Sequence, residues 1–211
     1  MMKDYSIIRE SAARLGSAAN RAIHDLLSNE VEQEHQFTDR MLGRFEEALH
    51  GFSTKGVRWS AKTLTDRGAN AQETKYGADF MGVLSINLPD FSVKKGFLAQ
   101  SKLLEPGFRL SKADCERMKK QCELMLKLSP DSFLFVYSTT NIIVIPAISV
   151  ISMSGCDPHN LYARSVTSFF QEHFECFIGD RNIYEASPNN LEDLMKKYES
   201  RKLLSLGLTK Q

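Results

Sequence analysis

The strongest constraint on this chain is a pair of apolar runs, Phe80–Leu88 (FMGVLSINL) and Lys95–Leu104 (KGFLAQSKLL), joined by Pro89-Asp90-Phe91-Ser92. Proline interrupts a strand ladder, and Asp and Ser supply turn chemistry, so the runs read as neighbouring antiparallel strands. Side chains alternate along a strand, which places Gln100 and Lys102 on the same side. Pairing back through the turn brings Asp79, at the start of the first run, to the same edge of the sheet.

The flanking segments set the layers. Ile8, Ala12, Leu15, Ala19, Ile23 and Leu26 recur at three- and four-residue steps, predicting an amphipathic helix over Ile7–Leu27 whose small residues suit close packing on another helix. A second helix is expected over Glu30–Leu49, stopped by Gly51, and then an irregular stretch, 52–72, with one short strand around Val57–Ala61. After the hairpin, Ser111 to Leu128 reads as a helix opened by a Ser-x-x-Asp cap, with Cys115, Met118, Cys122, Met125 and Leu126 as its buried stripe. Ser132–Tyr137 and Asn141–Pro146 are short enough to be buried strands. Helices are expected over Asn160–Phe177 and Asn190–Leu204. The order gives a mixed α/β layer structure. Its expected organisation is an N-terminal helical extension (1–29), a core (30–155) and a C-terminal helical region packed on that core (156–211).

A chain of 211 residues can bury a core without covalent staples. Its 27 Lys and Arg against 26 Asp and Glu give a formal net charge of +1, so any nucleic-acid surface must be local. Four cysteines with no C-x-x-C spacing argue for reduced thiols rather than a disulfide frame or structural zinc. Charged residues interrupt the first helix, and Pro146 and serines break the longest apolar run, so neither an export signal nor a membrane span is read and a cytoplasmic location is expected. No G-x-S-x-G, P-loop or G-x-G-x-x-G occurs, which disfavours the hydrolase and nucleotide-binding classes built on them.

A carboxylate, an amide oxygen and a lysine on one sheet edge form a set suited to phosphodiester chemistry. Mg²⁺ takes hard oxygens, using one or two carboxylates with waters and substrate phosphate. Asp79 is the anchor, and the Gln100 side-chain oxygen and Ser101 carbonyl could complete the protein's share. Lys102 would orient or help deprotonate the attacking water and offset charge on the phosphorane. Mn²⁺ would substitute for Mg²⁺. Lys75, Lys94, Lys95 and Lys112, with Trp59, Tyr76 and Phe91 interleaved among neighbouring basic residues, suit a nucleic-acid groove.

The pattern Glu73-x(3)-Gly77-Ala78-Asp79, an apolar hairpin, then Gln100-x-Lys102 resembles the PD-(D/E)XK, or restriction-endonuclease-like, nuclease superfamily, in the branch where Gln replaces the acidic residue before the lysine. Its Gly-Ala-Asp and Gln-Ser-Lys versions resemble nuclease effectors of bacterial anti-phage defence. The resemblance spans roughly Glu30 to Ala147. It implies a mixed central sheet flanked by helices, here with extra N- and C-terminal helices, and a Mg²⁺-dependent endonuclease acting on double-stranded DNA. It assigns Asp79 and Gln100 as ligands and Lys102 as the catalytic lysine, and adds a helical glutamate, for which Glu34 is chosen over Glu46 and Glu47. Glu73 would be a further or supporting ligand, and Gln121 a helical glutamine near the site. A homodimer or higher homo-oligomer is expected, with the first helix or Asn160–Phe177 as the self-association surface, together with an activating or regulatory defence protein.

Each signal also has an ordinary explanation: a turn aspartate, a solvated Gln-x-Lys edge, an acidic helix face. The competing functional readings are a non-catalytic interaction module that keeps the fold, and an RNA-directed nuclease.

Overall fold

The computed structural model describes residues 5–28, 33–65, 78–184, 191–198 and 200–211. Along the chain run α1 (Tyr5–Leu27), α2 (Glu34–Leu49), β1 (Ser53–Thr54), β2 (Val57–Thr65), β3 (Phe80–Leu88), β4 (Phe91–Leu103) and α3 (Lys112–Leu128). They are followed by β5 (Ser132–Tyr137), β6 (Ile142–Pro146), α4 (Ala147–Ile151), a 3₁₀ turn at Pro158–Asn160, β7 (Arg164–Ser165), α5 (Val166–Phe174), α6 (Leu191–Lys197) and β8 (Lys202–Lys210).

The strands form one mixed open sheet in the order β1-β2-β8-β3-β4-β5-β6-β7. The hairpin pairs from Phe80↔Ala99 to Leu88↔Phe91, so only Pro89 and Asp90 remain in the turn and β4 starts four residues before the expected Lys95. β4 runs parallel to β5, and β5 is antiparallel to β6.

Helices cover both faces. α1, α2 and α5 lie over one, where Phe97 meets the rings of Phe80, Phe133, Phe135, Phe169 and Phe170 at centroid distances of 5.0–6.4 Å. α3, α4 and α6 lie over the other, around Met81, Leu98, Met118, Leu134 and Met195. The small-residue stripe of α1 works as its composition suggests: Ala12, Ala18 and Ala22 are fully buried, and a Cβ on Gly16 would sit 2.0 Å from Thr167 Oγ1 of α5. The apolar stripes of α1 and α5 are therefore buried inside the chain, while Tyr162 and Phe177, near the two ends of the 160–177 segment, are exposed. α3 begins as read, with Ser111 Oγ accepting from Asp114 N at 3.1 Å. Cys115 and Cys122 are buried, and all four cysteines are free thiols.

The largest correction lies at 190–204. A helix was expected throughout, but α6 stops at Lys197 and residues 202–210 form β8, antiparallel to β2 and parallel to β3. The C-terminal region is not wholly helical, because Leu204, Leu206 and Leu208 alternate at period two and enter the core between two strands. Two smaller corrections concern length. The strand expected at Val57–Ala61 continues to Thr65, and the helix expected over Asn160–Phe177 is confined to Val166–Phe174. Among the described residues, no helix is long and apolar enough to cross a membrane.

Candidate active site

At one end of the sheet β3 has just begun and β4 runs on past it. From Ser101 onward the backbone N–H groups of β4 that would face β3 have no strand to meet, and carboxylates take its place. Ser101 N donates to Asp79 Oδ2 at 2.9 Å, and Leu103 N donates to Glu34 Oε2 at 2.8 Å. Asp79 N in turn donates to Ala99 O at 2.9 Å, one residue short of the Gln100 that the hairpin register would set opposite it, so the ladder ends here. Sequence spacing alone thus sets Asp79 against Gln100, while Glu34 comes from the first turn of α2.

Gln100 is 4 % exposed, and its Nε2 donates to Asp79 Oδ2 at 2.6 Å and to the Ser101 carbonyl at 3.3 Å. Its Oε1 is buried with no hydrogen-bond partner. A buried amide oxygen in that position costs about 1–3 kcal/mol unless something donates to it or coordinates it. Lys102 Nζ lies 3.4 Å from Glu34 Oε2. Asp79 and Glu34 each engage one oxygen in these contacts, and the other oxygen of each takes no hydrogen bond from the described residues.

Beneath this cluster a buried hydroxyl network fixes α2 to the sheet. Thr38 Oγ1 donates to Ser101 Oγ at 3.1 Å, Ser101 Oγ lies 2.9 Å from Tyr137 OH, and Thr38 Oγ1 lies 3.3 Å from the same phenol. Burial pushes the Tyr137 hydroxyl well above its ordinary range, so it stays protonated. The network lies on the opposite side of β4 from Gln100 and Lys102 and holds the strand from that side, with Thr38 also lining the neighbouring cleft.

A cleft of about 390 Å³ opens beside Asp79 and Glu34, with Arg201 and Lys202 of the β8 entry on its wall. Lys202 Nζ is spent on Asp39 Oδ1 at 2.8 Å and the His35 carbonyl at 3.0 Å. Burial raises the Asp79 carboxyl to about 6, helped by the nearby Glu34 charge and opposed by the Ser101 N–H, Arg201 and Lys202. Two carboxylates that repel each other beside an unpartnered amide oxygen match the donor set a hard divalent cation requires. Among the described residues no three His, Cys, Asp or Glu side chains converge, so further ligands would be neutral oxygens such as Gln100 Oε1 or the Ser101 carbonyl.

The other expected residues fall as follows. Lys95 is corrected: it is 1 % exposed, and its Nζ donates to Ile178 O at 2.6 Å, so it cannot meet a nucleic acid. It shares the face of Val93 and Phe97, whereas Lys94 points the other way. Lys94 is exposed but sits toward the hairpin turn, about 20 Å from Gln100 along β4. Trp59 is also corrected, being 1 % exposed against Phe174 in the core. Lys112 opens α3 at the site end of the sheet, and Gln121 lies about 14 Å further along that helix, away from the cleft lining. Glu46 bonds Thr63, and Glu47 pairs with Arg44 at 3.1 Å, which leaves Glu34 as the acidic side chain of α2 facing Lys102. Glu73, Lys75 and Tyr76 lie outside the described residues.

Sequence reasoning missed Arg201 and Lys202. The signal was present in the leucine alternation directly after them. Comparison of the chain with protein-family models, with curated proteins and with solved structures finds no match.

Proposed function

We propose that this chain is a metal-dependent endonuclease of restriction-endonuclease-like architecture that hydrolyses phosphodiester bonds of double-stranded DNA. The observation that carries the reading is the pairing of Asp79 with Gln100 and of Glu34 with Lys102 at the end of β4, beside a cleft that the two carboxylates line, with the Gln100 amide oxygen buried and unpartnered. Asp79, Gln100 Oε1 and Glu34 would hold Mg²⁺ or Mn²⁺. When bound, such a cation polarises the phosphodiester and lowers the pKa of water. Lys102 brings a positive charge to the phosphate and offsets the charge that develops on its oxygens. Glu34 orients that ammonium, and the Thr38–Ser101–Tyr137 network keeps the strand carrying Gln100 and Lys102 from shifting. A defence effector acting in the cytoplasm, assembled as a homodimer with one cleft per DNA strand and regulated by a companion protein, is the setting this reading implies.

A second reading has its own support. Asp79 and Glu34 already cap the free N–H groups of β4, a duty they would keep in a non-catalytic interaction module. Plasmid cleavage with Mg²⁺ or Mn²⁺ by wild type, Asp79→Ala and Lys102→Ala, with folding checked by circular dichroism, separates the two. Metal-dependent nicking lost in both variants supports the nuclease. Inert wild type that also gives no heat with Mn²⁺ in calorimetry abandons it for the module. Structured RNA and single strands in the same assay test the RNA alternative.

A further inference from the structure

We propose that Arg201 is a phosphate-binding residue of the cleft and grips the nucleic-acid backbone independently of metal; the proposal rests on reading this cleft as the DNA-cutting site. Arg201 lines the cleft together with Asp79, and its Nε is buried with no hydrogen-bond partner. A buried, charged N–H without an acceptor is unfavourable, so an acceptor that enters the cleft is rewarded.

None of the chain's own acceptors there takes the Arg201 Nε–H, and one oxygen of each cleft carboxylate is already engaged. Asp79 Oδ2 takes Gln100 Nε2 and Ser101 N, and Glu34 Oε2 takes Leu103 N and faces Lys102. The other cations are committed too, Lys202 to Asp39 and the His35 carbonyl, and Lys102 to Glu34. Arg201 is the cleft cation that forms no ion pair with the described residues. Its planar fork matches two oxygens of a phosphate, which a lysine cannot match in the same way. A phosphate held there would lie beside Asp79. Arg201 therefore acts as a substrate-binding residue supplied by a strand far along the chain from the Asp79/Gln100/Lys102 set.

The test measures binding without catalysis. Fluorescence anisotropy of a short labelled DNA duplex in EDTA at low salt compares wild type, Arg201→Gln and Arg201→Lys, all checked by thermal melting. Wild type is expected to bind, Arg201→Gln to weaken binding about tenfold, and the slope of log K against log salt to fall by about 1. Arg201→Lys keeps charge and loses the fork, so it is expected to fall between the two. Should Arg201→Gln fail to fold, Arg201→Lys decides alone, and an affinity several-fold below wild type supports the proposal. Equal affinities, or no binding by wild type in EDTA, overturn it. Cleavage is scored separately: Arg201-dependent binding by a protein that never cuts retires the nuclease reading and keeps the grip, and cutting with Arg201-independent binding does the reverse.

Discussion

His173 gives a quantitative prediction about pH. The ring is buried among Phe97, Phe169 and Phe174, with Phe97 edge-on at 5.2 Å, and Nδ1 lies 3.3 Å from the Ile178 carbonyl. Burial, aided by the neighbouring Lys95 charge and opposed by the Ile178 hydrogen bond, lowers its pKa to about 3 from the usual 6.5. Because the folded value is depressed, the unfolded chain takes up the proton first as pH falls. Stability is fully present above about 6.5 and is lost as pH drops toward 3. Between pH 7.5 and 5.0 the loss from this one group is about 2 kcal/mol, or about 4–8 °C in Tm. Asp79 acts in the opposite sense, since its raised value lets the native state gain a proton over part of the same range, so the wild-type curve alone is ambiguous. The assay is urea denaturation of wild type and His173→Gln at both pH values. The wild-type loss should exceed the variant's by about 2 kcal/mol. Equal losses in the two proteins would refute the reasoning.

Asp79→Asn removes a carboxylate that burial disfavours. It should raise stability at pH 7.5 by about 1–3 kcal/mol while abolishing DNA cleavage, read by melting and by plasmid nicking. Phe97→Ala empties the centre of the aromatic cluster and should cost about 3–5 kcal/mol in denaturant titration. Gly82 faces that ring, and a Cβ there would lie 2.3 Å from Phe97 Cε1. Gly82→Ala should therefore be less damaging in the Phe97→Ala background than alone, as a double-mutant cycle would record. Tyr137→Phe deletes the phenol from the hydroxyl network but leaves the Thr38–Ser101 bond. It should cost about 1 kcal/mol by the same titration.

The central hairpin was legible because both its partners and its turn lie within one stretch of sequence. Asp79, Gln100, Lys102 and Glu34 were named from that register and from a family resemblance, and the fold sets Asp79 against Gln100 and Glu34 against Lys102 at the end of β4. The placement of Lys95 could have been corrected from alternation alone, since Val93, Lys95 and Phe97 share a face. The strand at 202–210 was harder to read. The helical spacing of Leu191, Leu194, Met195 and Tyr198 passes into the strand alternation of Leu204, Leu206 and Leu208 with no proline or glycine between them. Arg201 and Lys202 sit at that junction. Their arrival beside Asp79 depends on a pairing between distant segments that local pattern cannot report.

That pairing also sets a clock on biosynthesis. Ser60 and Gly207, neighbours across β2 and β8, are separated by 147 residues of chain. At ribosomal speed β2 waits on the order of 10 s for its partner. Until then the β1–β2 unit and the β3–β7 unit cannot join into one sheet, and each presents an uncovered edge of the kind chaperones shield. The cationic wall of the cleft forms only once Arg201 and Lys202 have been made and β8 has entered between β2 and β3.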